Sequence, residues 1–390
     1  MDGEQVITPR ENLLRVFRHE TPEWIPITGH VDCYNQPNRQ GMDPALAEAL
    51  GEVRWCDEGT VNFSRYLGLD IMDYLNPPLR LTRKNTFAET TQAGADTTVI
   101  WHTPRGDLRE VNRRCRDDGT SYRVEHLVKG PQDLPALAAM FEDEQIELDS
   151  DGVALVKQRR KLIRDDGMLM LFMPGTPLGM MYRVYSGVET LAYLCADAPA
   201  ALCDLFAIME KNYERQFRLA SQTDADALVT MDDTSTTVIS PRMFAEFNLG
   251  YTDSMAAVAH DAGKLYFHHS CGLIRDLLPL YRQTQMDAVH AFTIPPIGNV
   301  TVADGRRLMG DGDPAAARIT IIAGLMQLSG PIGDWPAVQR SIREMFQAGR
   351  RGGFIASLFG EPERTMEQTV RLLDECRQYQ RLGWGDGVVG

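Results

Sequence analysis

The segment His268-His269-Ser270-Cys271-Gly272 carries the most reactive side-chain types in the shortest space. It follows the apolar run Leu265-Tyr266-Phe267 and precedes an amphipathic stretch beginning near Leu273. On an extended chain alternate residues share a face, so His269 and Cys271 point one way while His268 and Ser270 point the other. An imidazole and a thiolate on one face supply half of a soft-metal site, and zinc takes such ligands. The alternative for the same pair is a buried thiol beside a core histidine.

Other residues fall at comparable positions. Asp232 and Asp233 end the apolar run Ala227-Leu228-Val229-Thr230. One of them could ligate a metal, orient His269 or bind substrate, and helix capping before Thr234 is the competing account. His30 and Asp32 follow Trp24-Ile25-Pro26-Ile27-Thr28-Gly29, where either could move a proton. His290 sits near another strand end, as a ligand-facing or a core histidine. Tyr182 and Tyr185 are candidates for a pocket wall, with Asp233 and His268 beside them. Pro174-Gly175-Thr176-Pro177 and Pro295-Pro296-Ile297-Gly298-Asn299 read as stiff lips or as plain loops.

These residues need elements to hold them. Strands are expected at 24–29, 70–75, 168–173, 227–230, 265–267, 288–292, 319–323 and 354–357. Helices are expected at 9–17, 43–50, 61–67, 153–163, 200–220, 241–259 (with a break near Gly250), 336–348 and 364–379. Apolar strands separated by helical crossovers form parallel sheets, and eight of them suggest a closed barrel. An open doubly wound sheet is the alternative, but no GxGxxG or GxxxxGK[ST] string supports it. From 78 to 130 the rhythm changes to mixed polar and apolar residues with turns at Ala93-Gly94, Pro104-Arg105-Gly106 and Asp117-Asp118-Gly119. That stretch reads as antiparallel hairpins inserted in one barrel domain spanning 1–390.

Composition sets limits. The 390 residues are 43% hydrophobic, ample for a large core. Forty basic against fifty-four acidic residues give a net charge of -14, with no basic tract for nucleic acid. The seven cysteines are odd in number and widely spaced, which fits a reducing, cytoplasmic setting better than a disulfide framework. No apolar run is long enough to span a bilayer, so no membrane association is expected.

Several strings together resemble the uroporphyrinogen decarboxylase superfamily, especially its branch of corrinoid-linked and thiol-directed methyltransferases. They are Pro22-Glu23-Trp24-Ile25-Pro26, Gly106-Asp107-Leu108, Pro174 to Pro177, Gly187-Val188-Glu189 and Asp232-Asp233 with Ile239 to Phe244. Lys264 to Gly272, Met286 to His290 and Gly352-Gly353-Phe354-Ile355 complete the set. The resemblance implies a (β/α)8 TIM barrel with an elaborated N-terminal region. In that branch an HxCG segment binds zinc, and His269 and Cys271 fall on its ligand positions. The resemblance also implies methyl transfer between a small methylated substrate or thiol and a corrinoid protein carrying methylcobalamin. The branch's third ligand is a cysteine after the glycine pair, but Gly353 to Glu361 contains none. An oxygen ligand is expected instead, from Glu361 or an aspartate such as Asp232. His30, Asp32, Asp232 and His290 are the expected acid–base or substrate-contacting groups. A decarboxylase or lyase acting on a small carboxylated compound, and a non-catalytic binding protein on the same barrel, are the alternatives. The arginine-rich segment of the decarboxylases is absent from Ile27 to Tyr34. Asp73 corresponds loosely to a proton-handling aspartate.

Overall fold

Eight short segments, most of them runs of apolar residues, pair in parallel. In the computed structural model they are β1 (Ile27–His30), β2 (Ile71–Leu75), β3 (Gly167–Met173), β4 (Ala227–Met231), β5 (Leu265–His269), β6 (Ala288–Thr293), β7 (Thr320–Gly324) and β8 (Phe354–Phe359). The structure describes residues 7–30, 44, 48, 58–115, 120–324, 334–359 and 365–381, without the side chains of His30 and Phe359. The turn at 117–119 lies outside these residues, as does the helix expected at 43–50 except for residues 44 and 48, which are helical. Each strand from β2 to β7 pairs with the next in chain order, and β8 pairs with β1. The Asp70 N–H donates to the Ile27 carbonyl and brings β1 against β2. The result is a (β/α)8 barrel.

Alternation explains what fills it. Met72 and Tyr74, then Met168, Met170 and Phe172, then Ala227 and Val229 lie two apart on their strands, and all belong to one buried cluster. Phe267, Ala288, Ile322 and Ile355 complete the inner face. The helix Pro9–Phe17 closes one end. Thr8 caps it by accepting from Glu11 N, Pro9 starts it, and Leu13, Val16 and Phe17 enter the same cluster. Phe17 stacks on Phe267 at 4.9 Å, and Thr320 Oγ1 donates to Val16 O at 3.5 Å. Those contacts lie at the N-terminal side of the strands, so the opposite mouth is left for chemistry.

A repeated stitch fixes the register at the N-terminal ends of the strands. Asp70, Asp226 and Asp287 each precede a strand. Each carboxylate accepts from a main-chain N–H of the preceding strand: Ile27 at 2.9 Å, Leu169 at 2.8 Å and Tyr266 at 2.7 Å. In each case the aspartate N–H donates back to the carbonyl of that same residue. A two-bond clamp of this kind resists a one-residue slip, which would invert every side chain.

The expected strand positions hold to within three residues at each end. The helix expected over 241–259 is instead three pieces, Pro241–Met243, a π-turn Phe244–Asn248 and Leu249–Asp261. The irregularity falls before Gly250, where the π-turn brings Asn248 to the buried Asp232.

The chain forms two compact units, the barrel unit (residues 1–77, 154–173 and 223–390) and a second one (78–153 and 174–222). The second contains the four-stranded antiparallel sheet Phe87–Ala93, Asp96–Thr103, Gly106–Arg114 and Ser121–Glu125, in the stretch expected to form hairpins. It also holds the strand pair Leu79–Thr82 and Gln145–Leu148 and the helices Leu134–Glu142, Gly187–Asp197 and Pro199–Ala220. Among the described residues no single helix is long and apolar enough to cross a membrane, and Cys115, Cys195, Cys203, Cys271 and Cys376 are free thiols.

Asp70 is the stitch that closes the ring, and its burial pushes its pKa up to about 6 against the hydrogen bonds from Ile27 and Trp24. Between the unfolded value near 4 and 6 the folded chain binds the extra proton, so this group's contribution falls as pH rises through that window. Asp70→Asn keeps an acceptor and removes the charge. Relative to that variant, the wild type is expected to lose on the order of 2–3 kcal/mol between pH 4 and pH 7 in denaturant unfolding. Parallel pH profiles for the two proteins would contradict the assignment.

Candidate metal centre

The two central strands end side by side. β4 and β5 pair with Thr230 opposite His268 and Met231 opposite His269. Phe267 faces the barrel interior, so His269, two residues on, faces it too, and His268 faces the helices. Beyond the strands, Gly272 adopts φ +94°, which permits the turn after Cys271, and its N–H donates to Thr293 Oγ1 at 2.6 Å. Leu273 N donates to Ser235 Oγ at 3.1 Å and Thr236 N to Leu273 O at 2.8 Å, tying the two loops together.

The neighbouring aspartates part company. Asp232 is fully buried and accepts from Thr234 Oγ1 at 2.9 Å and Asn248 Nδ2 at 3.2 Å. His268 is also fully buried and lies 2.9 Å from the same Thr234 hydroxyl. That hydroxyl spends its one proton on Asp232, so His268 Nε2 must carry the hydrogen that it accepts. Burial, then the charge of His269, pushes the His268 pKa down to about 3, and the ring stays neutral. Asp232 and His268 therefore form a polar network behind the strand ends, away from the mouth where both were expected to serve.

Asp233 follows the other phase. It takes φ +48°, a left-handed conformation that aspartate tolerates. Its Oδ1 lies 2.9 Å from His269 Nε2 and 3.6 Å from Cys271 Sγ. Donor atoms of Asp233, His269 and Cys271 all lie within 4.8 Å of one another. A tetrahedral zinc with a 2.3 Å sulfur bond and a 2.0–2.2 Å oxygen bond holds those two atoms about 3.5 Å apart. The Asp233–Cys271 separation matches this, and the Asp233–His269 contact would open by about half an ångström. The three donors fit a metal with an open fourth position, and the carboxylate within reach of His269 and Cys271 is that of Asp233, not Asp232. Glu361 and Asp32 lie outside the described residues, and His30 is described only as the last residue of β1.

His290 joins the group from β6. It lies opposite His269 in the ladder, and the two Nδ1 atoms are 2.9 Å apart. Its Nε2 is 2.7 Å from the hydroxyl of Tyr74, which comes from β2. A bulge follows. Ala291 adopts φ +59°, the register shifts between Val289 and Phe292, and the phase of the strand changes. Phe292 then packs toward Gly305, where a Cβ would come within 2.6 Å of the ring.

Tyr74 shares the inner face with Met72, and that spacing places it inside the barrel without announcing His290 as its partner. Asp73, between them, faces outward. Arg159 Nη1 donates to it at 2.7 Å and Thr60 Oγ1 at 2.9 Å, so it is held in a structural ion pair. Tyr182 and Tyr185 belong to the second unit. Tyr182 is buried there, and Tyr185 packs edge-on to Phe141 at 5.7 Å with its pKa pushed up to about 12 by burial and by Glu144.

Residues 121–378, more than half of the chain, match the uroporphyrinogen decarboxylase (URO-D) family. The chain belongs to that family. A methyltransferase from Methanosarcina mazei has a similar fold, with TM-score 0.62 and 14% identity over 96% of this chain and 99% of that one. A GH5-4 broad specificity endoglucanase from an uncultured bacterium aligns at TM-score 0.39 and 9% identity, over 65% of this chain and 79% of its own. Comparison with curated proteins finds no match. For this URO-D family member, the two aspartates should separate by substitution. Asp232→Ala strands a buried hydroxyl and amide and is expected to cost about 2–3 kcal/mol in denaturant unfolding. Asp233→Asn keeps the left-handed backbone and is expected to stay within about 0.5 kcal/mol of the wild type. Equal losses would place both in the structural network.

Proposed function

We propose that this chain is a zinc-dependent methyltransferase. It moves a methyl group between a small methylated substrate or thiol and a corrinoid protein that carries methylcobalamin. The observation that supports the reading best is the convergence of Asp233, His269 and Cys271 at the mouth of a URO-D family barrel. The methyltransferase with the similar fold agrees with this reading.

His269 Nε2, Cys271 Sγ and an Asp233 oxygen are the ligand atoms. Bound there, zinc supplies a Lewis acid that stabilises a thiolate at neutral pH. The chain's own groups do the rest. Cys271 and Asp233 bring two negative charges, which match a divalent cation. Gly272 and the bonds tying Leu273 and Thr236 to the facing loop hold Cys271 in place. Tyr74, Phe172 and Met231 belong to the apolar cluster on the same inner face, beside which a methyl-bearing group loses less solvation than a charged one.

Protein purified without added metal is expected to contain about one zinc per chain by elemental analysis, and Cys271→Ala to lose most of it. The zinc-filled protein, mixed with methylcobalamin and a panel of small thiols, is expected to change the corrinoid absorption spectrum. Cys271→Ala should slow that change at least about 100-fold. A zinc-filled protein that leaves the spectrum unchanged with every thiol and methylated substrate overturns the proposal and favours lyase chemistry on a small carboxylate.

A further inference from the structure

Four side chains from four strand ends stand in one line. Asp233 Oδ1 is 2.9 Å from His269 Nε2, His269 Nδ1 is 2.9 Å from His290 Nδ1, and His290 Nε2 is 2.7 Å from Tyr74 Oη. We propose that His290 and Tyr74 are positioning residues for the metal-facing nitrogen of His269, and that metal binding reverses the direction of this hydrogen-bonded line. The inference rests on the metal reading above.

Proton counting makes the argument. A neutral imidazole carries one N–H, and a 2.9 Å gap between two Nδ1 atoms holds one proton. Asp233, as a carboxylate, only accepts. With both rings neutral and no metal bound, His269 donates from Nε2 to Asp233, which leaves its Nδ1 bare. His290 then donates from Nδ1, and its bare Nε2 accepts from the Tyr74 hydroxyl. Every donor in the line points from Tyr74 toward Asp233.

A cation on His269 Nε2 needs that lone pair, so the ring must carry its hydrogen on Nδ1. His290 now accepts at Nδ1 and donates from Nε2 to the Tyr74 oxygen. Each state holds three protons on the two rings and the phenol. The one lost to water from His269 Nε2 is matched by one regained from water at the Tyr74 end, so the line neither gains nor loses charge. A carboxylate or carbonyl behind a ligating histidine accepts in every state and fixes one tautomer. A histidine in that place serves both states.

The fold is built to keep the line straight. Tyr74 stacks on Phe172 with ring centres 4.6 Å apart and planes 9° apart, which fixes its hydroxyl. Ser270 N donates to the His290 carbonyl at 3.0 Å. The bulge at Ala291 begins immediately after His290, so the phase changes only once His290 has been delivered to the interior.

The test is zinc affinity of the full chain at pH 7.5, measured by competition with a chromophoric chelator and paired with unfolding of the metal-free proteins. His290→Ala is expected to weaken zinc 10- to 100-fold and Tyr74→Phe about 10-fold. His290→Asn places an amide oxygen or nitrogen where Nδ1 stands but loses the link to Tyr74, so it should weaken zinc about as much as Tyr74→Phe does and less than His290→Ala. Nitrogen-15 spectra of the histidines should show His290 protonated on Nδ1 without zinc and on Nε2 with it. Should His290→Ala fail to fold, Tyr74→Phe and the spectra carry the test. Wild-type affinity in Tyr74→Phe and His290→Ala, with binding lost in Cys271→Ala, overturns the line and leaves the metal centre standing. Equal weakening in His290→Asn and His290→Ala points to packing and also overturns it. A wild type that takes up no zinc overturns both readings.

Discussion

On a closed parallel sheet a residue faces either the barrel interior or the helices, and its neighbours two positions away must do the same. Hydrophobic burial sets that parity. Phe267 is in the core cluster, stacked on Phe17 of the plugging helix, and this one placement decides the fate of the next four residues. His269 goes in and His268 goes out. The same side-chain type becomes a donor at an open mouth in one case and a sealed, neutral ring in the other, with its pKa pushed down to about 3. The two histidines differ in environment because Phe267 takes the interior, stacked on Phe17 at 4.9 Å, while Tyr266 is buried on the helix side.

Parity also accounts for the aspartates. Val229 lies in the inner cluster and Met231 packs against it, so counting by two reaches Asp233 and passes over Asp232. Asp232 instead meets Thr234, Asn248 and His268 in a fully buried layer. Where parity has to be broken, the chain breaks it visibly. The bulge at Ala291 delivers His290 inward and then turns Phe292 toward Gly305, two apolar or polar demands that an unbroken strand could not meet together.

Much of this was legible in the sequence. The apolar runs gave the strands, since a fully buried strand such as Gly167–Met173 has no polar residue to blur it. The end of β5 was harder. The apolar signal stops at Phe267, whereas the ladder continues through His269, because His268 and His269 are polar where a strand is expected to be apolar. Alternation from His269 to Cys271 was readable, and the two meet as expected on one side. The choice between Asp232 and Asp233 needed the parity of β4 to be carried past its last apolar residue. Tyr74 needed more than parity: its partner His290 lies 216 positions away on a strand that is not its neighbour, and no local pattern reports such a meeting. The division of labour among Asp70, Asp226 and Asp287 was equally hidden, because each acts on the strand before its own.

The pairing of β1 with β8 has a consequence for the newborn chain. Ile27 and Ala356 are ladder partners although more than three hundred residues separate them. At about 5–20 residues per second of synthesis, β1 waits roughly 15–65 s on the ribosome before its partner strand exists. Through that interval β1 presents a bare edge of main-chain donors and acceptors, the kind of edge that recruits foreign strands. Four residues is a short edge, and Pro26 immediately before it offers no N–H. The Asp70 clamp on Ile27 can form as soon as β2 emerges, and it holds the first strand against its sequence neighbour until the ring is ready to shut.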